Sequence, residues 1–231
     1  MFLTRAFLDP ASRLVQADER NPEGLHKTIM RAFPKERGPS PRRMHAVLHR
    51  LEREADGRLV LLVQSRTRPS TDQWPAGYLI EMGGDLDFAV SSVGENPAIR
   101  SVGAALAGLL VGKSLNFRLR ANTTKKIDTK TGPDGVRRNG RRVPVRGDEG
   151  RLAWLTRRAS AAGFSFEDGA VRVTEVSPAS GRGAKAVTVV GALFEGVLTI
   201  VEPALFRAAL ESGIGPAKAY GFGLLSIASV R

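Results

Sequence analysis

No cysteine occurs in the 231 residues, so neither a disulfide framework nor a thiolate metal site is available. Aromatic residues make up only 6% of the chain, which argues against ring stacking as its main binding mode. No run is long and apolar enough to cross a bilayer: the best, Val102 to Val111, is short and carries Gly103 and Gly108. The opening MFLTRAFLDPASR reaches Asp9 and Pro10 too soon for a signal peptide. These absences lead to the expectation of a cytoplasmic protein with no membrane partner. Acidic residues are also short, with 23 Asp+Glu against 35 Lys+Arg and a formal net charge of +12. That balance calls for a polyanion, with nucleic acid the first candidate and an anionic membrane surface the second.

The positive charge is concentrated between Lys113 and Arg146, where only Asp128 and Asp134 oppose it. Within this span lie Arg118, Arg120, Arg137, Arg138, Arg141 and Arg142. Gly132, Gly135 and Gly140 make Lys125 to Arg142 an expected flexible loop that orders on an anionic partner; the alternative is a solvated loop. A second basic loop, SPASGRGAKA, carries Arg182 and Lys185 between two expected strands.

Glycine is used most pointedly near the C-terminus, in SGIGPAKAYGFGLLSIA (Ser212 to Ala228). Gly213, Gly215, Gly221 and Gly223 bracket Lys218 between a helix starting near Pro203 and a strand at Leu224, Leu225 and Ile227. Such glycines let a backbone approach a ligand, and amide N–H groups beside a lysine suit a phosphate backbone. A plain helix-to-strand turn is the competing reading.

Elsewhere, Met1 to Leu8, Met44 to Arg53, Leu59 to Ser65 and Leu115 to Ala121 have the patterns of strands. Further strands are expected near Tyr78 to Met82, Val171 to Val176, Ala186 to Phe194 and Val197 to Val201. Asn21 and Pro22 begin a helix with Leu25, Ile29, Ala32 and Phe33 on its apolar face; Asp148 caps another that ends at Gly163. The order in the second half is β-α-β-β-α-β, a ferredoxin-like unit, and the first half fits it loosely. The expected fold class is α+β, two tandem ferredoxin-like (RRM-like) domains over residues 1–100 and 101–231.

Histidine occurs three times. His45 and His49 share a face of an expected strand, but with no carboxylate cluster they form an incomplete metal set. His26 lies in the first turns of a helix, followed by Lys27 and Arg31. Neighbouring cations and the helix N-terminus lower a histidine's pKa and favour a neutral imidazole able to take a proton; a structural role, the commoner one for a lone histidine, is the competing reading.

Several segments together resemble one family. FRLRAN (Phe117 to Asn122), RRVPV then RLAWLTRR (Arg141 to Arg158), ALFEGVLTI (Ala192 to Ile200) and GIGPAKAYGFGLLSIA look like the CasE family. These are the CRISPR repeat-processing endoribonucleases of type I-E systems, and LHKTIMRAFP (Leu25 to Pro34) fits the family's first helix. The resemblance implies tandem ferredoxin-like domains and binding to the CRISPR repeat hairpin in precursor crRNA. It implies cleavage at the 3′ base of the stem by the adjacent 2′-hydroxyl, leaving a 2′,3′-cyclic phosphate and a 5′-hydroxyl. No metal or cofactor is required. Mature crRNA is then retained, with other Cascade subunits as partners. The family's catalytic histidine falls on His26, as the base for the 2′-hydroxyl or the acid for the leaving 5′ oxygen. Lys27, Arg31, Lys218, Arg118 and Arg120 are implied to hold phosphates, and Arg182 and Lys185 match a groove-binding hairpin. One departure stands out: many members carry tyrosine where this chain has Glu23, a carboxylate that raises a neighbouring histidine's pKa. A weakly catalytic guide-holding subunit and a general basic RNA chaperone are the alternative readings.

Overall fold

The computed structural model describes residues 1–35, 41–81, 95–127, 130–131, 134–135, 137–138, 140–180 and 188–230. The first half runs through β1 (Phe2–Leu8), α1 (Arg13–Arg20), α2 (Pro22–Met30), α3 (Pro41–Met44), β2 (Leu48–Arg53), β3 (Leu59–Ser65) and β4 (Ala98–Ser101). Its sheet is ordered β2-β3-β1-β4 with antiparallel neighbours. β3 thus separates β1 from β2, the strands joined through helices, which is the split arrangement of a ferredoxin-like unit. β3 is apolar along almost its whole length and lies inside the sheet, buried at six of its seven positions. Asn21 caps α2 by accepting from the Glu23 amide at 3.2 Å, and Pro22 fills the first turn. Leu25 and Ile29 then face the core with Ala32 and Phe33.

The second half comprises α4 (Gly103–Ala107), β5 (Ser114–Ala121), β6 (Thr124–Ile127), β7 (Lys130–Thr131), β8 (Arg137–Arg138), β9 (Arg141–Pro144), α5 (Asp148–Ala161), β10 (Phe164–Ser165), β11 (Val171–Ser180), β12 (Thr188–Ile200), α6 (Pro203–Ser212) and β13 (Leu225–Ser229). β12 pairs with β10 and β11 on one side and with β5 on the other, and β13 closes the far edge of β5. The β11-β12-β5-β13 path repeats the order of the first sheet. Alternation along β5 sends Leu115, Phe117, Leu119 and Ala121 inward, against α5 and α6.

Several local expectations are corrected. The strands expected on either side of Gly196 are one strand, β12, because Gly196 lets the Ala170 carbonyl approach where any Cβ would collide. Gly147, at φ +73°, is the cap of α5, while Asp148 enters the first turn and pairs with Arg151 at 3.3 Å. Extended structure begins at Leu48 rather than Met44, since α3 and a left-handed Ala46 (φ +49°) precede it. Of the strand expected near Tyr78 to Met82, the described residues to Glu81 show a single bridge, Leu8 to Leu79, and Met82 lies outside the described residues. The basic loop contains ribbons: β6 pairs with β9, and β7 with β8. The β-branched residues Thr124, Ile127 and Val143 suit that pairing.

Polar contacts join the two sheets. The buried Arg50 on β2 donates to the carbonyls of Leu224 (3.1 Å) and Arg118 (3.3 Å) and to the Ser226 hydroxyl (3.0 Å). Gln64 donates to the Leu210 carbonyl at 2.6 Å.

Candidate active site

His26 is half-buried on α2, which packs against the short 3-10 turn Lys218–Tyr220 of the second half. The site therefore forms where helix α2 of one unit meets the glycine-rich loop of the other. His26 Nδ1 is buried with no hydrogen-bond partner among the described residues. Burial pushes the imidazole below its ordinary pKa, Arg42 lowers it further, Glu23 opposes and Lys27 adds a smaller lowering. Glu23 is held by Lys27 at 3.0 Å, so its charge is partly answered before it reaches His26. The net effect is a neutral imidazole at pH 7.

His49 lies beneath this group. Its ring stacks on His26 with centroids 6.1 Å apart and planes 20° apart. It is fully buried, with neither ring nitrogen partnered among the described residues, and burial takes its pKa down to about 3. The sequence paired His49 with His45 instead. His45 is buried elsewhere, bonded to Thr67 Oγ1 (2.9 Å) and the Pro34 carbonyl (3.2 Å) and stacked on Phe33. No group of three or more His, Cys, Asp or Glu placed to hold a metal occurs among the described residues.

The glycine-rich loop is built by its four glycines, all at positive φ. The Gly213 amide donates to Ala209, Ile214 donates to the Gly223 carbonyl, and Gly223 donates to Arg120, at 2.8–2.9 Å. The amides of Gly213 and Gly223 are thus spent inside the protein, contrary to the expectation that they face phosphate. At Gly213 a Cβ would lie 2.8 Å from Leu48 Cδ2, so close approach to β2 explains this glycine. Gly215 packs over Trp154, and Gly221 lies against the His49 ring. Lys218 is half-buried; its Nζ donates to the Ser212 carbonyl at 2.6 Å, and burial with Arg42 and Arg43 lowers its pKa.

The expected cations separate into groups. Lys27 and Arg31 project from α2, Arg31 at its C-cap. Arg118 and Arg120 share a face of β5, but Arg118 is held by Glu52 (3.1 Å) and Glu195 (2.6 Å). Arg120 is half-buried with its guanidinium 4.7 Å from the Phe222 ring centroid and its Nε unpartnered among the described residues. Arg137 and Arg138 form β8; Arg141 and Arg142 are exposed on β9. Arg182 and Lys185 lie outside the described residues. Arg42 and Arg43 on α3, beside the catalytic candidates, escaped the sequence reading because only the folded chain brings them to the glycine loop.

The family model for "CRISPR associated protein" matches residues 1–229. The CRISPR-associated endoribonuclease Cse3 of Thermus thermophilus is 32% identical, over 99% of this chain and 100% of that protein. The chain belongs to the CasE family of CRISPR-associated proteins. CasE of Escherichia coli K12, a Cascade subunit, is 39% identical over 52% of this chain and 60% of its own. A solved CRISPR endoribonuclease Cse3 bound to 19 nt RNA superposes with a TM-score of 0.76 at 31% identity, covering 99% of this chain and 100% of that one. CasE-family motifs occupy neighbouring strands here. Arg118 of FRLRAN stands directly opposite Glu195 of the FEG segment, and the two form an ion pair.

Proposed function

We propose that this protein is an endoribonuclease that processes CRISPR precursor RNA at the repeat hairpin, with His26 moving the proton. The observation that carries the reading is His26 itself: half-buried, kept neutral by burial and Arg42, and carried on the helix that packs against the Lys218–Tyr220 turn where the two halves meet. RNA brings its own nucleophile. The 2′-oxygen attacks the adjacent phosphorus, the bond to the 5′ oxygen breaks, and a 2′,3′-cyclic phosphate and a 5′-hydroxyl remain. A neutral imidazole fits the base that takes the 2′-hydroxyl proton, while fixed cations offset the charge of the phosphorane. The 5′ oxygen acquires a proton as it leaves. No metal-bound water is needed for this chemistry.

Glu23 motivated the alternative of a weakly catalytic guide-holding subunit. Its ion pair with Lys27 and the net lowering at His26 favour the nuclease. We also infer retention of mature crRNA and assembly with Cascade subunits, supported by the Cascade membership of the E. coli relative. Units spanning 1–100 and 101–231 are supported by two separate hydrophobic clusters. No helix among the described residues is long and apolar enough to cross a membrane, and the reading places the protein with its RNA in the cytoplasm. Exposed Arg141 and Arg142, with Arg137, Arg138, Arg182 and Lys185, are the proposed contacts to the RNA stem. Competition binding checks specificity: the repeat hairpin should outcompete an unrelated stem at moderate salt. Equal affinity for the two would point to a general RNA chaperone.

A further inference from the structure

A second cationic feature includes Lys218, in the turn against which α2 packs. Arg42 and Arg43 on α3 and Lys218 of the glycine-rich loop line a cavity of about 450 Å³ with Arg66, Glu211 and Ser212. Arg66 spends its charge on Glu211 at 2.5 Å. Arg42, Arg43 and Lys218 have no carboxylate partner among the described residues. Arg42 Nη1 donates to the Val47 carbonyl at 2.9 Å, which anchors the guanidinium while leaving its other N–H groups for a ligand. Lys218 is likewise tethered to the Ser212 carbonyl, at 2.6 Å. Three cations crowded without a counter-charge repel one another, and an anion in the cavity relieves that cost.

The position of Arg42 gives the cluster its meaning. Its charge is felt by His26 on α2 and by Lys218 on the loop. A phosphate meeting Arg42 and Lys218 together therefore lies by the turn against which α2, the helix of His26, packs. The other groups facing His26 are Glu23 and Lys27 on its own helix and the neutral His49 on β2. None supplies a fixed cation from that side: Lys27 is exposed and tied to Glu23.

We propose that Arg42 is a catalytic residue that, with Lys218, binds a non-bridging oxygen of the scissile phosphate and stabilises the charge developing on the phosphorane. This rests on the nuclease reading, with His26 as its proton carrier. Arg43, more exposed, holds a flanking phosphate. An arginine suits the role because its planar fork offers paired N–H donors to phosphate oxygens, where lysine offers a point charge.

The test is single-turnover cleavage of the repeat hairpin by wild type, Arg42→Gln, Arg42→Lys and His26→Ala, with Arg100→Gln as an exposed charge-loss control. At saturating enzyme Arg42→Gln should lose about 100-fold in rate, as removal of one oxyanion donor does. Arg42→Lys should recover part of that loss, while Arg100→Gln stays near wild type. At subsaturating enzyme the acid limb should move to higher pH in Arg42→Gln, because a cation that lowers the His26 pKa is gone. The slope of log affinity against log salt should fall by about 1. A purely structural arginine would not produce this combination of effects. A saturating rate for Arg42→Gln within about twofold of wild type, with an unshifted acid limb, overturns the proposal. So does an Arg42→Lys variant as slow as Arg42→Gln with an unchanged salt slope. If wild type itself fails to cleave, the nuclease reading falls instead.

Discussion

At the residue scale, the two stacked imidazoles have opposite access to solvent. His26 is half-buried, while His49 is sealed beneath it with a pKa lowered to about 3. The folded His49 resists protonation and the unfolded one does not, so the unfolded state binds the extra proton below pH 6.5. Stability is therefore intact above pH 6.5 and lost as pH falls from there toward 3, at a limiting slope of about 1.4 kcal/mol per pH unit. His49→Phe keeps a ring against His26 and removes the titration. Urea denaturation from pH 7 to 4 should show a shallower acid loss in this variant, and an identical loss would assign the effect to other groups. His26 could be named from sequence as the candidate proton carrier because a helix start, a histidine and nearby cations lie together in the chain and the family resemblance puts its catalytic histidine there; the role itself stays a proposal. The stack was not: strand patterning paired His49 with His45, four residues away, whereas its partner lies on a helix brought over by the fold.

At the element scale, the same contrast between local and distant signals recurs. The Asn21–Pro22 start of α2, the apolar run of β3, and the Pro203 start and Gly213 end of α6 could be read because cap, proline and glycine chemistry is local. Helix α1 escaped the reading, since Val15 is its only buried residue and Asp18 ties it down through Thr28 (2.7 Å) and Tyr78 (2.8 Å) from afar. The FRLRAN and FEG segments carried the resemblance, yet much of what they do is structural: Phe117, Leu119 and Phe194 fill the core, and Arg118 and Glu195 bind each other across strands. The glycine-rich loop behaves similarly. Gly213→Ala combines φ +75° with contacts below 3 Å to Leu48 and Gly223, and should cost at least about 2 kcal/mol. Gly57→Ala, at φ +86° with nothing within 4 Å, should cost about 1 kcal/mol. Paired denaturation curves compare them; equal losses would mean that backbone conformation alone explains Gly213.

At the scale of the whole molecule, the site depends on how the two sheets are held. Arg50 bridges them from a buried position, with Glu52 at 2.9 Å and acceptors on β5, at Leu224 and on β13. Arg50→Ala strands these groups and should cost on the order of 3 kcal/mol in denaturation. It should also slow cleavage by loosening α2 against the Lys218–Tyr220 turn. Unchanged stability would show that the junction does not rely on this arginine. Composition spoke at this scale too: a net charge of +12 named a polyanion without saying which surface meets it. The most direct measurement is cleavage of the repeat hairpin in EDTA, using all-ribose RNA beside RNA with one 2′-deoxy residue at the cut. Wild type should cut only the all-ribose strand, leaving a cyclic phosphate, and His26→Ala should bind the hairpin without cutting it. Cleavage of the 2′-deoxy strand, or undiminished cleavage by His26→Ala, would contradict the proposed mechanism.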